Sequence, residues 1–430
     1  MAKVLSIISD QPVKIDRLVP GGQGIGTRED GIKGFFWNAL PGEIVSEYYI
    51  TKKKSHYFEA IAIMVENASP HRVIPKDECF LSTSPWQIMD YEYELEQKSE
   101  LLAEIFRQNG LECLFCGPFL AMGQKRWVNT RDDGMATHCP QRGIQTVLTD
   151  NYDFYYRNKM EYALYWDIAE EKIKLAFHMR GSHRKVPIDR SSIERPEIFE
   201  EALRIVEKLN RDHEEARKYQ SLLLRCNQNG KVSGGLFENR KPHPHFDNLE
   251  DVILGQKYSY SPNGFFQINI PVYEMALKEI AKHIKTEKVL DLYAGVGTIG
   301  LSVARDKNLT LVENNKAAYE ELRRNCYSAI SESIPQAILS NSEDALSYIE
   351  SNQTVILDPP RAGCEKKLLE KLLEIKPKTI VYLSCNPTTQ ARDVKILTEK
   401  YHITNITPFN FFPRTPHLEN LVILNISPDE

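Results

Sequence analysis

The run Tyr382-Leu383-Ser384-Cys385-Asn386-Pro387 sets a thiol at the end of a strand-like apolar stretch. A lone cysteine is usually a small buried hydrophobe. Cys385 has company that argues for a nucleophile instead: Leu357-Asp358-Pro359-Pro360-Arg361-Ala362-Gly363 follows an earlier strand-like run, and Phe412-Pro413-Arg414-Thr415-Pro416-His417-Leu418-Glu419 comes downstream. If these strands share a sheet, both strand ends face the crevice where doubly wound folds bind ligands.

A second cluster precedes it. In Val289-Leu290-Asp291-Leu292-Tyr293-Ala294-Gly295-Val296-Gly297-Thr298-Ile299-Gly300, three glycines satisfy GxGxxG between a strand and a helix start, formally a dinucleotide fingerprint. Two features oppose that reading. The charge of Asp291 would repel a pyrophosphate, and the next acid, Glu313, falls 13 residues after Gly300. S-adenosylmethionine, which has no phosphates, accounts for both: Asp291 near its cationic methionine moiety, and Glu313 accepting from the ribose hydroxyls. Arg361 stands where amino-group methyltransferases usually place an aromatic residue.

Positioning these groups requires a parallel sheet. From about residue 280, apolar runs at 289–292, 309–312, 354–357 and 379–383 alternate with amphipathic segments, the pattern of a doubly wound α/β fold. Residues 1–71 carry short β-rich runs punctuated by Gly21-Gly22-Gln23-Gly24, Gly31 and Pro41-Gly42, which predicts a small OB-like barrel. Residues 72–262 form a central α+β region with strands at 161–166 and 173–177, a helix from Pro196 to near Gln220, and a helix at 92–110 that packs on the catalytic unit and stops at Gly110. The catalytic unit spans 263–430.

The 430 residues are ample for such an arrangement, and 42% hydrophobic with 26% charged residues is globular usage. With 54 Lys plus Arg against 59 Asp plus Glu, no global field attracts a polyanion, so nucleic-acid binding must use local patches. Residues 171–190 hold six basic residues against two acids, and Lys52-Lys53-Lys54 adds a second cluster. No apolar run reaches the ~20 residues of a membrane span. The expectation is a cytoplasmic monomer with reduced thiols and no membrane partner.

Together these motifs resemble the 5-methyluridine RNA methyltransferase family, in which DPPR-G, SCNP and FP-T-H-E patterns occur in this order. Gly264-Phe265-Phe266-Gln267-Ile268-Asn269 and Tyr156-Arg157-Asn158-Lys159-Met160-Glu161 match as well, and residues 14–26 resemble its RNA-binding TRAM barrel. The resemblance implies a class I, S-adenosylmethionine-dependent enzyme. It assigns Cys385 as the nucleophile that adds to carbon 6 of uracil and Glu419 as the base that removes the carbon-5 proton. Gln267, Tyr293, Glu313, Asn341 and Asp358 would line the cofactor pocket; Asp344 competes with Asn341 for the adenine, and Asp358 is also placed to meet the uracil edge.

Many members hold an iron–sulfur cluster on four cysteines. Here only Cys79 stands in place, with Ser82, Thr83, Ser84 and Ser191-Ser192 where thiolates are needed, so no cluster and no other metal is expected. Cys113, Cys116, His138 and Cys139 read as packing rather than a zinc site. RNA is the expected partner, 23S ribosomal RNA ahead of transfer RNA. A cytidine-C5 enzyme is disfavoured because Arg361, not a cysteine, follows Pro360. The remaining alternative is a non-catalytic RNA-binding protein that keeps the fold.

Overall fold

The computed structural model describes residues 7–8, 10–111, 146–211, 218–238, 241–243, 246–329, 334–342 and 344–427. Six strands come first: β1 (Ile7–Ile8), β2 (Val13–Leu18), β3 (Gly24–Thr27), β4 (Lys33–Trp37), β5 (Ile44–Lys53) and β6 (Tyr57–Glu66). β2, β3 and β4 are antiparallel neighbours, β4 runs parallel to β6, and β6 pairs back onto β5, which also pairs with β2. Five strands therefore close into a barrel, with β1 on its β5 edge. Alternation along β2 turns Val13 and Ile15 inward against Phe36, Val45, Tyr48 and Phe58. Closure demands a bare backbone at Gly26, where a Cβ would stand 2.1 Å from the Lys14 carbonyl oxygen.

The central unit is a six-stranded antiparallel sheet in the order β12-β11-β10-β7-β8-β9, built from β7 (Lys159–Asp167), β8 (Lys172–His178), β9 (Lys185–Pro187), β10 (Ser221–Cys226), β11 (Val232–Glu238) and β12 (Lys241–His243). The helix Pro196–Leu209 buries Ile198, Ala202 and Val206 against it. This helix ends well before Gln220, contrary to expectation. Asn210 leaves it to pair with β8, its Oδ1 accepting from Ile173 N at 2.7 Å and its Nδ2 donating to Ile173 O at 2.9 Å.

The C-terminal unit opens with a hairpin, β13 (Leu249–Ile253) and β14 (Gln256–Tyr260), followed by β15 (Lys288–Leu292), β16 (Asn308–Glu313), β17 (Gln336–Leu339), β18 (Gln353–Leu357), β19 (Thr379–Ser384), β20 (Tyr401–Phe409) and β21 (Glu419–Ile426). Seven of these make one sheet in the order β17-β16-β15-β18-β19-β21-β20, parallel except for β21. A two-stranded hairpin cannot bury itself, and Leu249, Ile253, Tyr258 and Tyr260 share a core with Tyr273, Leu277, Val289 and Val381. Apolar packing of this unit thus begins ahead of the expected boundary at 263.

The helix Tyr91–Gln108 starts where the Asp90 carboxylate caps Tyr93 N at 2.8 Å and gives way at Asn109, before a left-handed Gly110. It faces two ways. Leu102, Ile105 and Phe106 pack with Val394 and Leu397 of the C-terminal unit, while Leu101 packs with Trp86, Leu18 and Leu40 beside the barrel.

Candidate active site

Strand order turns at β15, which lies between β16 and β18. Register then sets the site. Leu292 pairs with Val312 and Leu357, Leu357 with Tyr382, and Ser384 with Asn420. The residues just past these strand ends are Tyr293, Asp358 and Cys385; Glu313 closes β16, and Glu419 opens β21 opposite Phe409. Neighbouring strands lie about 4.8 Å apart, so Asp358, Cys385 and Glu419 stand on three adjacent strands along one edge. Asn341 follows β17 by two residues. Gln267 lies just ahead of Asn269, which caps the helix Ile270–Ala281 through Val272 N. That helix meets the glycine turn, with the Tyr273 hydroxyl donating to Thr298 Oγ1 at 2.9 Å.

On the glycine side, Gly295 N donates to Glu313 Oε2 at 2.8 Å and Gly300 N to Asp291 Oδ2 at 2.8 Å. Asn315 N occupies the other Glu313 oxygen at 2.6 Å. Tyr293 takes a left-handed backbone, φ 65°, a strained conformation for a bulky residue at a strand end. Asn341 and Asp344 adjoin each other, Asn341 Nδ2 donating to Asp344 Oδ2 at 3.2 Å. Three observations bear on a cofactor. Asp291 Oδ1 is buried with no hydrogen-bond partner among the described residues, a Cβ on Gly295 would project into open space, and the turn carries no basic residue. Burial lifts Asp291 to about 8, against the Gly300 N–H; a cation beside it would bring that value down. This donor set fits the sulfonium, amine and hydroxyl groups of S-adenosylmethionine.

On the thiol side, burial pushes Cys385 up to about 11; Glu419 and Asp358 add to the rise and Arg361 opposes it. Glu419 lies well above the usual carboxylate range, first through burial and then through the charge of Asp358, with Arg361 again opposing. Burial alone brings Asp358 to about 7. Burial also lowers His417 to about 4, helped by the positive charges of Arg361, Lys98, Arg180 and Arg157. A neutral imidazole therefore packs edge-on to Phe412, 6.0 Å between centroids. In front of the thiol lies a cavity of about 210 Å³ lined by Cys385, Arg361, Pro387, His417, Lys98 and, from the barrel, Gly21. A more open hollow of about 640 Å³ at Leu164, Trp166 and Tyr219 of the central unit holds none of these acids.

Sequence reasoning missed what holds the loop between β20 and β21. Lys98 is buried on the helix Tyr91–Gln108, and its Nζ donates to Glu94 Oε1 at 2.8 Å, Asn410 Oδ1 at 2.6 Å and Phe412 O at 3.2 Å. Glu94 in turn accepts from Arg414 N at 3.0 Å. Arg414, left-handed at φ 62°, donates to Met89 O at 2.6 Å and from Nε to Asp153 Oδ2 at 3.0 Å. The available signal was a Glu–Lys pair at i, i+4, which reads as a surface pair until its loop partners are known.

The residues around Cys79 do not fit an iron–sulfur cluster. Asp77 Oδ2 accepts from Gln87 Nε2 at 2.8 Å and from Ser192 Oγ at 2.8 Å, and Gln87 Nε2 also donates to Ser84 Oγ at 2.7 Å. Ser191 Oγ donates to Glu194 Oε2 at 2.5 Å. These hydroxyl, amide and carboxylate groups hydrogen-bond to one another and supply no thiolates, Asp77 Oδ1 being left without a partner among the described residues, and hydrogen bonds join segment 77–87 to segment 191–194. Cys113, Cys116, His138 and Cys139 lie outside the described residues. The basic run is partly spent: Lys174 pairs with Asp167 at 3.0 Å and Glu170 at 2.6 Å, Lys185 donates to Leu164 O at 2.7 Å, and in the second cluster Lys52 pairs with Glu59 at 2.7 Å.

Comparison with known proteins adds three findings. Residues 252–427 match the family model described as tRNA (uracil-5-)-methyltransferase. An uncharacterized RNA methyltransferase of Bacillus cereus is 27% identical over 96% of this chain and 96% of its own, and one of Prochlorococcus marinus is 30% identical over 64% of this chain and 79% of its own. Among solved structures, the tRNA (uracil-54, C5)-methyltransferase of Pyrococcus abyssi in complex with S-adenosyl-L-homocysteine aligns at a TM-score of 0.70, covering 96% of this chain and 99% of that one at 23% identity, a likeness of fold.

Proposed function

The chain belongs to the RNA uracil-C5 methyltransferase family and methylates RNA with S-adenosylmethionine as donor; from that premise we propose that Cys385 and Glu419 carry the reaction and that the thiol-side cavity receives the target uridine. The observation that supports this most directly is the juxtaposition of Asp358, Cys385 and Glu419 on three adjacent strand ends. Carbon 5 of uracil is too weakly nucleophilic to accept a methyl group unaided. Cys385, once deprotonated, adds through sulfur to carbon 6, and the electrons of the carbon 5–carbon 6 double bond move onto the ring carbonyl. Arg361, whose charge opposes the upward shifts of both Cys385 and Glu419, favours the thiolate. Bound S-adenosylmethionine supplies the electrophilic methyl group that carbon 5 takes up. Glu419 then removes the carbon-5 proton; those electrons restore the double bond and expel Cys385 as thiolate. A carboxylate raised toward neutrality suits that last task, because a base with an ordinary low pKa has little affinity for the proton.

Gln267, Tyr293, Glu313, Asn341 and Asp358 hold the donor in this reading. Asp358 also sets the charge state of Glu419, which ties donor binding to the base. The barrel acts as a TRAM-like RNA-binding module, and its Pro20 and Gly21 wall the cavity. The target uridine leaves its stack to reach Cys385. A uridine of 23S ribosomal RNA is the first substrate to test. Transfer RNA is the second, because the barrel-bearing fold also occurs in a transfer-RNA enzyme. Incubating the purified protein with each RNA class and labelled donor, then mapping label by fragment, decides between them. Label confined to transfer RNA overturns the ribosomal assignment.

A further inference from the structure

The loop between β8 and β9 reaches back to the barrel. Arg180 lays its guanidinium over the Trp37 ring, 4.2 Å from the centroid, and donates from Nε to Leu81 O at 2.5 Å. Beside it, a Cβ on Gly181 would touch Thr51 of β5 at 3.8 Å. One donor and one ring face thus orient the guanidinium plane. Its two terminal nitrogens have no acceptor among the described residues, and no carboxylate there pairs with it.

A half-buried cation without a counter-ion is costly, and burial is the sole cause lowering the pKa of Arg180. The position explains what such a cation could serve. Its charge reaches His417, which lines the cavity with Cys385, and Arg157 and Arg361 reach the same imidazole. Lys98, the fourth cation there, is matched by Glu94. Arg157, Arg180 and Arg361 form no ion pair with any described residue, although they come from three separate segments.

We propose that Arg180, braced on Trp37, is a binding site for a backbone phosphate of the RNA strand that enters the Cys385 cavity. A guanidinium fork matches phosphate oxygens two at a time, and its rigidity on the ring fixes the strand's approach. Such a contact positions without reading sequence. It anchors the backbone while the neighbouring base swings out of its stack. The inference rests on the reading that this cavity takes a uridine from RNA.

The test uses the intact protein and a fluorescein-labelled oligouridine, with affinity measured across a salt series and donor affinity measured separately by calorimetry. Arg180→Met keeps the length of the side chain but not its charge. It is expected to weaken RNA binding and to flatten the slope of log affinity against log salt by about 0.7, the value for one phosphate contact on a single strand. Arg180→Lys should retain that slope, and both variants should bind S-adenosylmethionine as the wild type does. If Arg180→Met lowers the melting temperature yet leaves the slope unchanged, the guanidinium is only a strut between units and the proposal is wrong. Should Arg180→Met not fold, Arg180→Gln, which keeps a donor for Leu81 O, carries the same comparison. A wild-type protein whose binding shows no salt dependence would instead overturn the cavity's assignment to RNA, an outcome visible before any variant is made.

Discussion

Replacing Glu94 by Gln removes the only carboxylate among the described residues that faces both Lys98 and the backbone of Arg414. Both Lys98 and Glu94 are buried, with side-chain exposures of 1% and 0%. Removing one member of a buried pair costs about 3–5 kcal/mol, because the other charge stays desolvated. Glu94→Gln should fall at the upper end, since Lys98 then faces Arg414 with no anion between them; the charge of Arg414 already disfavours protonated Lys98. Lys98→Met should fall at the lower end, since Glu94 keeps Arg414 N at 3.0 Å and the Arg414 guanidinium at 3.9 Å. The assay is hydrogen exchange at the Arg414 amide, which donates directly to Glu94 and reports local opening without requiring the whole chain to unfold in one step. At about 1.4 kcal/mol per decade, a loss of 3 kcal/mol accelerates exchange on the order of a hundredfold. Glu94→Gln should exceed that and Lys98→Met should approach it, with kcat falling in both as His417 and Glu419 lose their placement. Acceleration below about fivefold in Glu94→Gln, less than ~1 kcal/mol, would show that the pair does not hold the loop.

Further outcomes follow from the site and its surroundings. Because Glu419 must be ionised to act as a base and its pKa is raised, kcat should fall with decreasing pH at values above the usual carboxylate range; Asp358→Asn, assayed at saturating donor, should shift that limb to lower pH by removing the charge that raises Glu419, and an unshifted limb would break the link between them. The sign for stability is opposite: a carboxyl whose folded pKa rises to about 7 stabilises the fold at low pH and loses that contribution as pH climbs through about 7, so the donor-free protein should be a few kcal/mol less stable at pH 8 than at pH 4 on account of this group, which chemical denaturation checks. Around Cys79, Asp77→Ala should cost about 1–3 kcal/mol by stranding Gln87 and Ser192, whereas iron chelation should change neither folding nor activity; loss of activity on chelation would contradict the hydrogen-bonded account of that segment.

The edge that carries Asp358, Cys385 and Glu419 was legible because its residues are punctuation. Asp358 and Cys385 sit where apolar strands stop ahead of proline, ends that a parallel sheet places on one edge, and Glu419 opens β21, whose antiparallel run brings its start to that same edge. The barrel was legible through its glycines and its alternation. What stayed hidden depends on contacts between distant segments. Lys98 meets Asn410 across 312 positions, and nothing local marks that pair as buried. The basic run at 171–190 overstated its free charge because Asp167 and Glu170, just outside it, return to Lys174. The helix expected to reach Gln220 stops at Leu209 because the Asn210 amide is used by Ile173 on β8, a partner that helical periodicity does not reveal.

The central claim is that Cys385 bonds to the uridine it helps to methylate and that Glu419 releases it. Total ribosomal and transfer RNA, each incubated with S-adenosylmethionine and wild-type, Cys385→Ala or Glu419→Gln protein, should be resolved by denaturing electrophoresis and by mass spectrometry of nucleosides. Wild type should produce 5-methyluridine, Cys385→Ala none, and Glu419→Gln a protein–RNA adduct that survives denaturation because the carbon-5 proton stays in place. 5-Methyluridine formed by Cys385→Ala at the wild-type rate would contradict the account outright.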